Sequence, residues 1–71
     1  MRSQLSPKEL GEAIGVSESS IKRWIDEGVI RASRTAGGHR RIALADAVQF
    51  VRSAGLPVVR PQVFGLVGLE A

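Results

Sequence analysis

The stretch Ser6–Gly28, SPKELGEAIGVSESSIKRWIDEG, decides the fold. It carries the same helix-starting grammar twice. In Ser6-Pro7-Lys8-Glu9 a serine hydroxyl is placed to cap a backbone N–H three residues on. Glu9 can reach back to the cap, and proline holds the first helical position. Leu5 and Leu10 stand at the spacing of a hydrophobic staple, and Leu10, Ala13 and Ile14 continue an apolar face, so a helix is expected from Pro7 to Ile14. Gly15 then offers the left-handed conformation that ends a helix, Ser17 caps the next one, and Val16 with Ile21 repeats the staple. The second helix should run from Glu18 to Glu27 with Ile21, Trp24 and Ile25 inward, leaving Ser19, Ser20, Lys22, Arg23 and Asp26 to solvent or a ligand. Gly28 stops it.

Joined only through Gly15, Val16 and Ser17, the two helices cannot form a long side-by-side hairpin. The tight turn with a glycine suits the crossed pair of a helix-turn-helix, which projects the start of its second helix away from the core, where it can enter a DNA major groove. Past Gly28, short extended arms on either side of Ala36-Gly37-Gly38 read as a β-hairpin. Its strands are short and polar, so Val29, Ile30 and Ile42 are expected to anchor it on the helices. Leu44, Ala47, Val48 and Val51, with Phe50 beside them, predict a third helix from Leu44 to Ala54, closed by Gly55 and Pro57. The fold expected is mainly α: a winged helix-turn-helix of three helices with a small two-stranded β-hairpin wing, spanning residues 1–57. From Val58 to Ala71 no period is kept, which reads as a linker or flexible tail.

At 71 residues the chain is one small domain near the lower size limit for a single core, too small for a large enclosed active site. It has no cysteine, hence no disulfide framework and no thiolate metal site, and a cytoplasmic location is the default. No segment has the apolar length of a membrane span or the pattern of a signal peptide. The net charge of +3 is modest, but its distribution is uneven. Arg31, Arg34, Arg40 and Arg41 fall in a run without acids, while five of the seven carboxylates lie at or before Glu27. Phosphate is the commonest partner of such a surface.

Reading bases requires side chains on a rigid platform and cations that grip phosphates on either side. Ser17, Glu18 and Ser19 open the second helix, where N–H groups and hydroxyls favour phosphate or base edges, and Lys22 and Arg23 follow one turn on. The serines read equally as plain caps and Glu18 as a complement to the helix dipole. Gly37 and Gly38 let the hairpin tip approach a phosphate backbone closely, or serve the turn's need for positive φ. Trp24 reads as core rather than as a base-stacking platform. His39, the only histidine, has no cysteine partner and reads as a phosphate or structural hydrogen-bonding group. The carboxylates are scattered over capping and surface positions with no nucleophile in a recognisable motif, so neither an enzyme nor a cofactor is expected.

Taken together, Gly15-Val16-Ser17, Ser20-Ile21-Lys22-Arg23-Trp24, Gly28 and Arg34-Thr35-Ala36-Gly37-Gly38-His39-Arg40-Arg41-Ile42 resemble the winged-helix DNA-binding domains of the MerR and phage-excisionase superfamily. The resemblance covers Leu5 to Leu56 and looks strongest to domains that precede cobalamin-binding sensor modules or to small stand-alone regulators. It implies that Ser17, Ser19, Lys22 and Arg23 face the major groove and its bordering phosphates. It implies also that Arg34, Thr35, His39 and Arg40, in a wing that includes Arg41, hold the flanking backbone. Typical MerR regulators continue into a long helix that pairs two subunits, whereas here Pro57 and Pro61 interrupt the chain.

The leading expectation is therefore the double-stranded-DNA-reading head of a bacterial-type transcription regulator, with a second copy or a C-terminal sensor domain as further partners and no membrane. It carries a steep salt dependence and loss of binding at all sequences for Arg40→Ala. An excisionase-like protein that bends DNA rests on the same physics. A protein-interaction adaptor, docking through the apolar tail Val63-Phe64-Gly65-Leu66-Val67, is the reading from a different class. An RNA-binding module is disfavoured by the lack of stacking aromatics.

Overall fold

The computed structural model describes residues 4–64. Its elements in chain order are β1 (Gln4–Leu5), α1 (Pro7–Ile14), α2 (Glu18–Asp26), β2 (Ser33–Arg34), β3 (Arg40–Ala43), α3 (Leu44–Ala54) and a 3-10 turn at Pro61–Phe64. Helix α1 starts as its sequence dictates. Glu9 N donates to Ser6 Oγ at 3.1 Å and Ser6 N to Glu9 Oε1 at 2.9 Å, a complete capping box. It ends at Gly15, whose φ of 73° lies in the left-handed region that a side chain would disfavour. Val16 N then folds back onto the Gly11 carbonyl at 2.9 Å.

That fold-back explains a glycine the sequence leaves unexplained. Gly11 is buried in the middle of α1, and a Cβ built on it would sit inside van der Waals contact of the Val16 carbonyl oxygen. The backbone of the turn rests directly on α1, so the two helices cross closely. Ser17 caps α2 by accepting from Ser20 N at 3.2 Å, as expected, and its hydroxyl lies 3.0 Å from that of Ser20. Helix α2 closes at Asp26, one residue before the expected limit, with Glu27 as C-cap. Gly28, at φ 82°, lets Val29 N and Ile30 N turn back to the Trp24 carbonyl at 2.8 and 3.3 Å.

The core consists of Leu5, Leu10, Ala13, Ile14, Ile21, Ile30, Ile42, Ala47 and Val51, all buried, with Val16, Trp24, Ile25, Leu44 and Phe50 packed around it. Both staples are therefore in place. Trp24 lies against Phe50 with ring centroids 5.6 Å apart, joining α2 to α3, which agrees with its reading as core rather than stacking platform. One anchor differs: Ile30 and Ile42 are buried, but Val29 is 55% exposed, because the turn after Gly28 points only one of the adjacent apolar side chains inward.

The sheet has three antiparallel strands in the order β1-β3-β2, one more than the expected hairpin. Leu5 pairs with Ile42 and Gln4 with Ala43, and both apolar members of the first pair are fully buried. A two-residue strand leaves no alternation to read in the sequence, and only its buried leucine stands out. The hairpin itself closes through Gly38 N to Thr35 O and Thr35 N to His39 O, both at 2.9 Å, with Gly38 at φ 83°. This is a three-residue loop whose last member is left-handed. Strand β3 runs straight into α3, and Gly55 ends that helix in the left-handed region. The architecture is a winged helix-turn-helix.

Where no periodicity announces an element, the segment from Val59 to Val63 is nonetheless tied to α1, though Val58 and Val59 stay exposed. Val59 N and Arg60 N both donate to the Ala13 carbonyl, at 2.8 and 3.0 Å, and the Pro61–Phe64 turn contacts α1. The last turn of any helix leaves carbonyls without intrahelical partners, and here the chain beyond α3 returns to satisfy one of them. The rest of the expected tail, from Gly65, lies outside the described residues, as does most of the apolar run proposed for docking. No helix among the described residues is long and apolar enough to cross a membrane.

Candidate nucleic-acid interface

The exposed face of α2 and the hairpin border one polar cleft, lined by Ser6, Glu18, Lys22, His39, Arg40 and Arg41 among others. The helix side comes from the phase of α2. With Ile21 inward, Ser17, Ser19, Lys22 and Arg23 are all exposed at its start and outer face. Lys22 makes an i,i+4 ion pair with Glu18 at 3.4 Å, both about half exposed. Such a pair is worth only about 0.3–0.5 kcal/mol, so a phosphate can displace it. Arg23 makes no ion pair among the described residues.

The hairpin side is set by β3. Arg40 and Ile42 fall on one face of the strand and Arg41 on the other, by the alternation of a pleated chain. Ile42 seats the strand in the core, and the turn carries Thr35 and His39 outward, both exposed. Thr35 Oγ1 accepts from His39 N at 3.2 Å, so part of its role is to brace the turn. Arg41 is half-buried and forms no ion pair among the described residues.

Arg34 and Arg40 are placed differently from their neighbours. They sit directly opposite each other on β2 and β3, and both reach Asp26 at the end of α2. Arg40 spans both carboxylate oxygens, with Nη2 3.0 Å from Oδ2 and 3.1 Å from Oδ1 and Nε 3.3 Å from Oδ1, and Arg34 Nη2 adds a bond of 3.3 Å. The run without acids is thus not without a counter-charge. An acid eight and fourteen residues upstream in sequence supplies it. The fold also separates Arg31 from the others. It borders a second groove, with Val29, Asp46, Gln49 and Phe50, and not the cleft beside α2.

The cleft therefore combines the exposed start of a helix with a projecting hairpin, the two held by a closely crossed helix pair. Residues 5–55, from β1 to the cap of α3, match the family described as helix-turn-helix domain. The chain belongs to that family. No curated protein and no solved structure gives a significant match. As a helix-turn-helix DNA-binding domain it uses α1 and α2 as the paired helices, with Gly15-Val16-Ser17 as the turn. Among the described residues of the domain no group of three or more His, Asp or Glu side chains could hold a metal ion. Of the residues expected to meet DNA, Lys22, His39, Arg40 and Arg41 line the cleft, while Ser17, Ser19, Arg23, Arg34 and Thr35 lie outside its lining. Asp26, left to solvent or a ligand on α2, is instead the counter-charge of two hairpin arginines. Its partners are set by how the hairpin folds over the helix, which no local spacing encodes.

Proposed function

We propose that this domain reads double-stranded DNA as the head of a MerR-like transcription regulator, with α2 in the major groove and the hairpin on the flanking backbone. The observation that carries the reading is the exposed outer face of α2, which presents Ser17, Ser19, Lys22 and Arg23, beside a projecting hairpin that adds His39 and Arg41, in a helix-turn-helix frame. Ser17 and Ser19 offer hydroxyls near the α2 N-terminus, where backbone N–H groups favour phosphate. Lys22 and Arg23 extend one turn further to base edges or phosphates. Thr35, His39 and Arg41 contact the backbone beside the groove.

A salt series on duplex DNA tests it. The affinity should fall steeply and log-linearly with salt, because cations on the protein displace counterions from phosphates. Arg23→Ala should weaken binding by about 1–3 kcal/mol if it meets a base edge, and change the preference among sequences. Absence of duplex binding at low salt would overturn the reading in favour of an adaptor that engages a protein.

A second reading, an excisionase-like protein that bends DNA, is favoured by one feature: α3 ends at Gly55 and the chain turns back onto α1 rather than extending into a pairing helix. Bending measured by the phasing of gel mobility separates the two, since an architectural protein kinks its site and a simple reading head leaves it nearly straight.

A further inference from the structure

We infer that Asp26 is a positioning residue that holds the hairpin at a fixed angle to α2, and that Arg34 and Arg40 serve as its struts rather than as phosphate contacts. The inference rests on the DNA reading above and assigns to three residues a role in setting the width of the cleft.

Asp26 occupies the last position of α2, where the helix dipole disfavours a carboxylate. Its presence is not explained by the stability of the helix. Arg34 and Arg40 form a directly opposed cross-strand pair, an arrangement in which like charges repel. Each of these liabilities is cancelled by the other. The carboxylate lies between the two guanidiniums, and they neutralise it in turn. Among the described residues, every side-chain hydrogen bond from the hairpin to a helix ends on this carboxylate. Arg40 is the more committed strut, only 20% exposed against 57% for Arg34, and its fork engages both oxygens.

Two points thus fix the hairpin. Ile42 seats its base in the core, and the Asp26 cluster ties it to the C-terminal end of α2. The tip from Thr35 to His39 then projects at a set distance from Ser17, Ser19 and Lys22. A wing held in this way can meet the backbone only where the groove occupied by α2 has the matching geometry. The cluster keeps a net positive charge, so it still attracts DNA at a distance, while Arg40, 20% exposed and bound to both oxygens of Asp26, is held from phosphate more firmly than Arg34 or Lys22 in their single, half-exposed pairs.

Salt series on a random-sequence duplex, with wild type and the variants Arg40→Ala, Arg41→Ala and Asp26→Asn, test the assignment. A lost phosphate contact lowers the slope of log affinity against log salt by about 0.9. Arg41→Ala should show that loss. Arg40→Ala should weaken binding with its slope unchanged, and Asp26→Asn should tighten binding and steepen the slope by up to about 1.8 as two arginines are released. In the free protein, Asp26→Asn should also shift the NMR signals of Arg40 Nε–H and of the Gly38 amide while leaving Ile21 in place. An Arg40→Ala slope that falls like that of Arg41→Ala, or an Asp26→Asn slope and spectrum equal to wild type, would overturn the strut alone. Failure of wild type to bind any duplex at low salt would overturn the DNA reading and this role together.

Discussion

Gly11 lies in the middle of α1, where helix propensity argues against glycine by about 1 kcal/mol relative to alanine. The position is held by contact: the Val16 carbonyl occupies the place a Cβ would take. Gly11→Ala should therefore destabilise the domain by about 1–3 kcal/mol despite the gain in propensity, since backbone cannot yield as a side chain can. Urea unfolding should show a lower midpoint at unchanged slope. Gly38 is glycine for another reason. Nothing lies near its missing Cβ, but its φ of 83° is left-handed, so Gly38→Ala should cost about 1–2 kcal/mol, felt in the hairpin rather than the core. The sequence pointed to the second of these glycines through the Gly-Gly pair, and not to the first. A turn announces itself by local composition, whereas a close approach between segments is visible only once they are folded together.

At the scale of elements, the three helices were legible because each carries its own punctuation. Ser6, Ser17, Gly15 and Gly55 act within a few residues of the helix ends they define, and the limits of α1 and α3 follow the expected ones. Strand β1 was not legible, because its partner β3 lies far along the chain and supplies the evidence for it. One helix start remains unfinished. Ala43 has the extended backbone of an N-cap, φ −61° and ψ 143°, but no side-chain oxygen to offer, and Asp46 already stands at the third helical position. Ala43→Ser should add about 0.5–1 kcal/mol by capping α3, read as a higher urea midpoint. By the same rule Ser17→Ala should remove about 1 kcal/mol from α2, and it separates the two readings of that serine. If Ser17 also meets DNA, duplex affinity falls after the stability loss is accounted for.

For the whole molecule, the exposure of the residues proposed for the interface was legible in the sequence, and the ion pairs among them were not. Ser17, Ser19, Lys22, Arg23, Thr35, His39 and Arg41 are outward-facing or half-exposed along α2 and the hairpin, as periodicity and turn chemistry direct. The engagement of Arg34 and Arg40 by Asp26 is a tertiary fact, and it divides the basic run into held and free charges. The domain limit is similarly tertiary. A chain ending at Leu56 loses both donors to the Ala13 carbonyl and the packing of Val63, and should be less stable by roughly 1–3 kcal/mol than one ending at Phe64. Thermal or urea melts of the two lengths measure this directly. That shared carbonyl also decides where force enters the fold. Val59 and Arg60 hang on the last turn of α1, so a pull applied beyond Phe64 is borne first by the helix that leads into α2, and α3 is bypassed. Tension at that end of the chain would thus reach the start of α2 by way of α1, through the Ala13 carbonyl and the Pro61–Phe64 turn packed beside it, without passing through α3.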